Sequence, residues 1–205
     1  MKYKVISFDL QGTLSDDAFS DEFWLEFLPK LYSESRKVSL AEAKEALKNK
    51  FKEYGRYDYR YYSVRYWIKE LDLKLKFDEI RRQINTKPFL FADTLEIIEE
   101  LYGKVKLIII SSTTNEFIEA ELGDKRKYFD HIYSSLDSFG IAGKPKELYL
   151  KIVEILGIKP SEMIHIGNSE ESDIRNAKEA GLHTFFLDEK ESRERLTAKL
   201  KKIIC

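Results

Sequence analysis

The sequence predicts an α/β fold: a doubly wound parallel sheet with helices on both faces. Two observations predict it. Short runs of β-branched and aromatic residues recur along the chain, and amphipathic helical patterns lie between them. Strands that alternate with helices pair in parallel, because each helix returns the chain across the sheet. A third observation is that residues 15–90, which hold several amphipathic stretches, interrupt the alternation directly after the first strand.

Four strands are predicted from apolar runs that are too short for helices and that end at polar or turn-forming residues. They cover residues 3–8 (YKVISF), 105–110 (VKLIII), 163–166 (MIHI) and 184–187 (TFFL). Helices are predicted over 93–102, 115–122, 146–156 and 171–180. In such sheets ligands bind at the carboxyl ends of the strands. Those ends carry Asp9, Ser111 and Asn168, with Asp173 about one helical turn further on.

The interruption holds amphipathic stretches at 21–32 and 39–53, the second opened by a predicted capping box of Ser39 and Glu42. An insertion after the first strand is expected to lie above the carboxyl edge of the sheet, as a cap. The stretch 54–68 is dense in tyrosine and arginine. Three interpretations are open: a packed helical face at an interface, a surface that stacks on nucleic acid bases, or a lid that contacts an aromatic or anionic group.

Composition excludes several classes of protein. At 205 residues the chain suits one core with a smaller insertion. Its 35 basic and 36 acidic side chains, with a net charge of -1, argue against nucleic acid as a partner. No apolar run approaches the roughly 20 residues that span a bilayer, and no signal peptide is evident. We therefore expect a cytoplasmic protein without a membrane partner, monomeric or homodimeric, and without an internal disulfide, since Cys205 is its one cysteine.

The polar residues at the predicted strand ends follow a recognisable order. The segment Asp9-Leu10-Gln11-Gly12-Thr13 comes first, then Ser111, then Lys144 in Gly-Lys-Pro, then Gly167-Asn168 with Asp173 five residues on. This order resembles the haloacid dehalogenase-like superfamily of hydrolases, whose first motif is Asp-x-Asp-Gly-Thr and whose last is Gly-Asp followed by a further Asp. The resemblance implies a Rossmann-like core formed by residues 1–14 and 90–205, with a helical cap domain over 15–89.

The residue types suit the chemistry that the resemblance implies. A carboxylate at the end of a buried strand can act as a nucleophile, which is the role expected for Asp9. A hydroxyl and an ammonium can hold a transferring phosphoryl group, as expected for Ser111 and Lys144. The full catalytic set is expected to be Asp9, Gln11, Thr13, Ser111, Lys144 and Asp173. Substrate contacts are expected from Ser111, Ser112, Lys144 and Arg36.

The resemblance also implies a bound Mg²⁺, a cation that prefers a few carboxylate and carbonyl oxygens together with water. Its expected ligands are the Asp9 side chain, the backbone carbonyl of Gln11, and the motif that holds Asn168 and Asp173. The chain departs from the family pattern at Asn168, which offers an oxygen but no charge. Asp173 keeps the outer position, where it either approaches the metal or orients water or Lys144.

A second departure lies at Gln11, where phosphatases of this family carry the aspartate that protonates the leaving group. An amide cannot do this, and general acid–base help is typically worth about 10²–10⁴-fold. Three functions remain open. The first is a slow phosphatase acting on a small phosphorylated metabolite. The second is a 2-haloacid dehalogenase, which needs neither this proton nor a metal and for which Arg36 is the nearby cap arginine. The third is a non-catalytic protein that binds phosphate or metal.

Overall fold

The computed structural model describes residues 3–55, 58–73, 76–83, 90–187, 194, 197–198 and 201–202. In these residues five parallel strands form one sheet in the order β3-β2-β1-β4-β5. The strands are β1 (Val5–Phe8), β2 (Lys106–Ser111), β3 (His131–Ser134), β4 (Met163–Gly167) and β5 (His183–Phe186). The predicted doubly wound α/β class is confirmed.

β1 lies at the centre of the sheet, where the strand order reverses. The chain proceeds from β1 through β2 to β3 on one side and then crosses to β4 and β5 on the other. Phe8 pairs with Ile109 of β2 and with Ile166 of β4. β1 ends at this level, while β4 continues to Gly167 and β2 to Ser111, so the loops after the three strands leave the same edge of the sheet. In doubly wound sheets this switch point is where ligands bind.

Helices cover both faces of the sheet. The helices of this part of the chain are α7 (Ala92–Leu101), α8 (Asn115–Leu122), α9 (Ser135–Phe139), α10 (Lys146–Leu156) and α11 (Asn176–Glu179). Ile97 of α7 and Ile118 of α8 share one core cluster with Ile6. Ile152 of α10 and Ala177 of α11 belong to a second cluster on the other face. Two apolar clusters on opposite faces explain why the strands read as nearly continuous apolar runs.

One of these five strands was not predicted from the sequence. β3 (His131–Ser134) lies at the edge of the sheet, and only Ser134 among its four residues is fully buried. An edge strand with an exposed histidine lacks the apolar run by which the other strands were found. The 3₁₀ helix Gly123–Tyr128 lies before β3 in the chain, and the five-residue α9 follows it. Both were missed because they are too short to show a helical period.

Between β1 and α7 the described residues are helical. The elements are α1 (Ala18–Asp21), a π-helical segment (Glu22–Phe27), α2 (Leu28–Arg36), α3 (Leu40–Tyr54), α4 (Tyr59–Tyr62), α5 (Val64–Glu70) and α6 (Phe77–Gln83). The capping box at the start of α3 is confirmed: Ser39 N donates to Glu42 Oε2 at 2.8 Å and Glu42 N donates to Ser39 Oγ at 3.3 Å.

These helices enclose an aromatic core of their own, which contacts the rest of the chain through α8. Phe23 and Trp67 are fully buried, and Phe117 of α8 belongs to the same cluster. Trp24 stacks on Phe117 with ring centroids 6.0 Å apart. A separate cap over 15–89 stays a prediction, and residues 84–89 next to its proposed boundary lie outside the described residues. In the described part of the chain, none of the helices combines the length and apolar character needed to cross a bilayer.

Candidate active site

The structure brings three of the predicted site residues into direct contact. Lys144 Nζ lies 2.7 Å from Oδ1 of Asp9 and 2.5 Å from Oδ1 of Asp173. Asp9 directly follows β1, and its backbone N–H donates to the carbonyl of Ile166 at 2.8 Å, which fixes the start of the loop against β4. All three charged side chains are buried. One ammonium thus bridges two carboxylates at the switch point of the sheet.

Asp173 is held by more than the lysine. Its Oδ1 lies 3.1 Å from Nε2 of His165, and its Oδ2 accepts a hydrogen bond from the backbone N–H of Ser169 at 2.9 Å. A Cβ at Gly167 would overlap the Asp173 carboxyl group, so this close approach requires glycine. Both oxygens of Asp173 are therefore occupied by protein donors. Of the two roles predicted for Asp173, this arrangement favours the orientation of Lys144.

Behind Asp173, a series of buried hydrogen bonds runs through His165 to Ser7. His165 Nδ1 lies 2.8 Å from Ser7 Oγ, and both residues are fully buried. Burial lowers the pKa of His165, which favours the neutral ring. A neutral ring that donates from Nε2 to the Asp173 carboxylate accepts at Nδ1, so the Ser7 hydroxyl, which also lies 3.2 Å from the Ile164 carbonyl, directs its hydrogen to the nearer His165 nitrogen. Ser7 and His165 lie within β1 and β4, and the sequence analysis predicted strands there without assigning either side chain a part in the site.

Burial and ion pairing set opposite pKa shifts on the two carboxyl groups. Burial raises the pKa of Asp9 to about 7, and the Asp173 carboxylate adds to the shift although Lys144 opposes it. Burial acts in the same sense on Asp173, but Lys144 and His165 outweigh it and hold the pKa of Asp173 well below its usual range. The two carboxylates raise the pKa of Lys144 against the effect of burial. The shifts thus favour an ionised Asp173 paired with Lys144, and Asp9 is the group whose charge responds to its surroundings.

Ser111 ends β2, the strand beside β1. Its side chain is 2% exposed, and its Oγ accepts a hydrogen bond from the N–H of Thr113 at 3.3 Å. Since Phe8 pairs with Ile109, Ser111 leaves the sheet near the level of Asp9. Ser112 is half-buried in the same turn. Both predicted hydroxyls are therefore on the carboxyl edge that carries Asp9.

Gln11 makes a contact that sequence analysis missed. Its Nε2 donates to Oε1 of Glu121 at 2.7 Å, and Ser15 Oγ donates to Oε2 of the same carboxylate at 2.6 Å. Glu121 lies on α8 and is 4% exposed, and burial raises its pKa to about 7. The available signal was a lone glutamate on the apolar face of the predicted helix 115–122.

The conformation of the turn after Asp9 accounts for the glycine and the threonine of this motif. Gly12 has a φ of +72°, and a Cβ there would overlap the Asn168 side-chain amide. Asn168 thus packs against the loop that follows Asp9. Thr13 is buried; its backbone N–H donates to the Leu10 carbonyl at 3.2 Å, and its carbonyl accepts from Thr94 Oγ1 at 3.4 Å. These contacts agree with a supporting role for Thr13.

Arg36 contacts residues of the helical region rather than the cluster around Asp9. It ends α2, where it donates to the Glu70 carbonyl at 3.1 Å and lies over the Tyr32 ring at 6.0 Å. Its partners thus belong to the helical region between β1 and α7. Its predicted part in substrate binding gains no support from this arrangement and stays a prediction.

A carboxylate, a hydroxyl and a buried lysine thus lie at the switch point of a doubly wound sheet, where such sheets bind ligands. The family model of the haloacid dehalogenase-like hydrolases matches residues 3–181. The chain belongs to this family, and it is a hydrolase.

Individual relatives agree with this assignment. Over 165 residues the chain is 23% identical to the GMP/IMP nucleotidase YrfG of Escherichia coli (strain K12). The matched residues cover 79% of this chain and 72% of that protein. It is similar to the crystal structure of a HAD phosphatase from Thermococcus onnurineus, with 26% identity, a TM-score of 0.80 and coverage of 98% and 97% of the two chains. The putative HAD-hydrolase YfnB of Bacillus subtilis, solved bound to magnesium, shares the fold, with 17% identity, a TM-score of 0.67 and coverage of 98% and 100%.

Proposed function

We propose that this hydrolase is a Mg²⁺-dependent phosphatase that acts on a small phosphorylated metabolite and uses Asp9 as its nucleophile. The observation that carries the proposal is the 2.7 Å contact between Asp9 and Lys144 at the switch point of the sheet. A buried ammonium beside a carboxylate nucleophile is placed to neutralise the charge of a phosphoryl group in transfer.

The reaction has two displacements on phosphorus. An Asp9 oxygen attacks the phosphorus, the bond to the ester oxygen breaks, and an aspartyl phosphate forms as the alcohol leaves. Water then attacks the same phosphorus and releases orthophosphate, which regenerates Asp9. Lys144 and the Ser111 hydroxyl hold the phosphoryl oxygens, and Asp173 keeps the ammonium in place.

The donor set near Asp9 fits Mg²⁺. Among the described residues no three carboxylate, imidazole or thiol side chains gather into a metal site made by protein alone. Mg²⁺ does not need such a site, because it takes one or two carboxylates and completes its shell with waters and substrate phosphate. We assign the Asp9 carboxylate, the Gln11 backbone carbonyl and the Asn168 amide oxygen as its protein ligands. When bound, the ion supplies positive charge to the phosphoryl oxygens.

Gln11 makes this phosphatase slow on ordinary alkyl esters. Because the amide of Gln11 cannot act as a general acid, the departing alkoxide takes its proton from water. Activated esters have leaving groups that need this proton less, so they are hydrolysed faster. The nucleotidase and phosphatase relatives favour phosphate monoesters, including nucleoside monophosphates, as the first substrates to test. We further propose that the helices from α1 to α6 act as a cap over the site.

The experiment is a phosphate-release assay on aryl, sugar and nucleoside monophosphates, with and without Mg²⁺, alongside halide release from a short 2-haloacid. Release of phosphate that needs Mg²⁺ and is abolished in Asp9→Asn supports the proposal. Halide release without phosphate release overturns it in favour of a dehalogenase. Turnover of no substrate, with phosphate or Mg²⁺ bound, overturns it in favour of a binding protein.

A further inference from the structure

A cavity of about 260 Å³ reaches the loop that carries the candidate nucleophile, through Gln11. Gln11 and Thr113 line it, and these residues belong to the loops that follow β1 and β2. Further lining residues come from the helical region, among them Trp24, Phe51 and Tyr62. A molecule whose phosphate lies at Asp9 and Ser111 would therefore place its next atoms in this cavity.

The cavity is lined by both aromatic and polar side chains. Trp24, Phe51, Tyr61 and Tyr62 provide aromatic faces, while Ser20 and Asp21 add a hydroxyl and a carboxylate. Aromatic faces stack on planar rings whatever the ring's substituents, and a carboxylate accepts hydrogen bonds from ring N–H or amino groups. The volume lies just below the range of about 300–1,000 Å³ that is usual for small-molecule sites. It suits one ring system rather than a long chain.

We propose that this cavity is the subsite for a planar heteroaromatic ring in the alcohol portion of the phosphate ester. This inference rests on the proposed function for the position of the phosphate and adds the chemical class of the substrate. It also gives the tyrosine-rich stretch 54–68 a role that sequence analysis left open: Tyr61 and Tyr62 supply part of the wall that a ring would contact.

The matched pair of probes is a nucleoside 5′-monophosphate and ribose 5-phosphate. Both are esters of the same primary alcohol, so they differ in the ring and not in the leaving oxygen. Binding is measured on the Asp9→Asn variant, so that it does not depend on turnover. The chain has two tryptophans, of which Trp24 lines the cavity and Trp67 is fully buried outside it. The additional change Trp67→Phe leaves Trp24 as the single fluorescent reporter.

The expected result is that the nucleotide quenches Trp24 and binds about tenfold more tightly than ribose 5-phosphate, the size of one stacking contact. Tyr62→Leu should weaken nucleotide binding about tenfold by the same reasoning. The matched control is Tyr59→Leu on the same helix, because Tyr59 is 52% exposed and does not line the cavity. Equal affinities for the two probes, or equal losses in the two tyrosine variants, would overturn the inference.

The two proposals fail in different ways. If Asp9→Asn binds the nucleotide selectively while the unaltered chain hydrolyses no ester, the proposed function is wrong and the ring subsite stands. If phosphate is released from both probes with equal kcat/KM, the proposed function stands and the ring subsite is wrong.

Discussion

Gln11 Nε2 donates a hydrogen bond to Oε1 of Glu121 at 2.7 Å, which orients the Gln11 amide. The Ser15 hydroxyl donates to the other Glu121 oxygen at 2.6 Å, so both carboxyl oxygens accept hydrogen bonds and the nitrogen of the amide faces Glu121. The amide oxygen is the end that remains for a ligand or a water molecule. Such an oxygen can accept a hydrogen bond from an attacking water but cannot protonate a departing alcohol.

Restoring an acid at this position should accelerate turnover. Gln11→Asp places a second carboxyl group near the buried Glu121, and neighbouring carboxyl groups raise each other's pKa. A carboxyl that keeps its proton near neutral pH is an effective general acid, and we expect kcat on an alkyl phosphate to rise by up to about 10²-fold. The control is Gln11→Asn, which keeps an amide. A Gln11→Asp variant no faster than the unaltered chain would show that Gln11 does not limit the rate.

Glu121 should make stability depend on pH. Burial raises its pKa from 4.5 to about 7, so the folded state holds the proton more tightly than the unfolded state does. Its contribution to the free energy of unfolding is therefore full below about pH 4.5 and falls as the pH rises to about 7, by an amount on the order of 3 kcal/mol.

Glu121→Gln should flatten this part of the stability profile. The measurement is urea unfolding at a series of pH values without Mg²⁺. Glu119→Gln is the matched control, because Glu119 is exposed on the same helix. If the two variants give profiles of the same slope between pH 4.5 and 7, the environment assigned to Glu121 is wrong.

Lys144 should contribute strongly to stability and be essential to activity. Lys144→Met leaves Asp9 and Asp173 buried without their shared cation, and breaking a buried ion pair in this way typically costs about 3–5 kcal/mol. We expect a clear loss of stability in urea and loss of phosphate release. Lys178→Met, at an exposed position on α11, should change neither. A stable and active Lys144→Met chain would remove Lys144 from the site.

Asp173 should act through Lys144. Asp173→Asn removes the charge that holds the ammonium but keeps the size of the side chain, so kcat should fall by about tenfold or more while the fold persists. Glu170→Gln is the control, since Glu170 is exposed at the start of the π-helical segment Glu170–Arg175, which also holds Asp173. Unchanged kcat in Asp173→Asn would contradict the positioning role.

Mg²⁺ should shift the pH dependence of turnover. Asp9 must be ionised to attack phosphorus, and burial raises its pKa to about 7, so activity at low Mg²⁺ should rise as the pH passes through neutrality. A cation beside a carboxylate favours the ionised form. Raising the Mg²⁺ concentration should therefore move the acid limb of the kcat/KM profile to lower pH. An acid limb that stays in place at all Mg²⁺ concentrations would argue against Asp9 as a ligand.

Much of the site was predictable because it lies in short motifs at strand ends. A buried apolar run that ends at Asp9 or Ser111 marks the carboxyl edge of a parallel sheet from its pattern alone. Ser7 and His165 were not predictable as part of the site, because polar residues within an apolar strand carry no periodic signal. Glu121 was missed because its partners, Gln11 and Ser15, are more than 100 residues away along the chain.

The sequence by itself determined the α/β class, the order of the motifs and the substitution of an amide for an acid at position 11. These follow from local residue type and from the period of apolar residues, which a single chain displays directly. Only the tertiary structure decided that Lys144 bridges Asp9 and Asp173, that Glu121 orients Gln11, and that an aromatic cavity opens beside them. Such contacts join side chains from separate elements, and packing brings those elements together only when the whole sheet and its helices form.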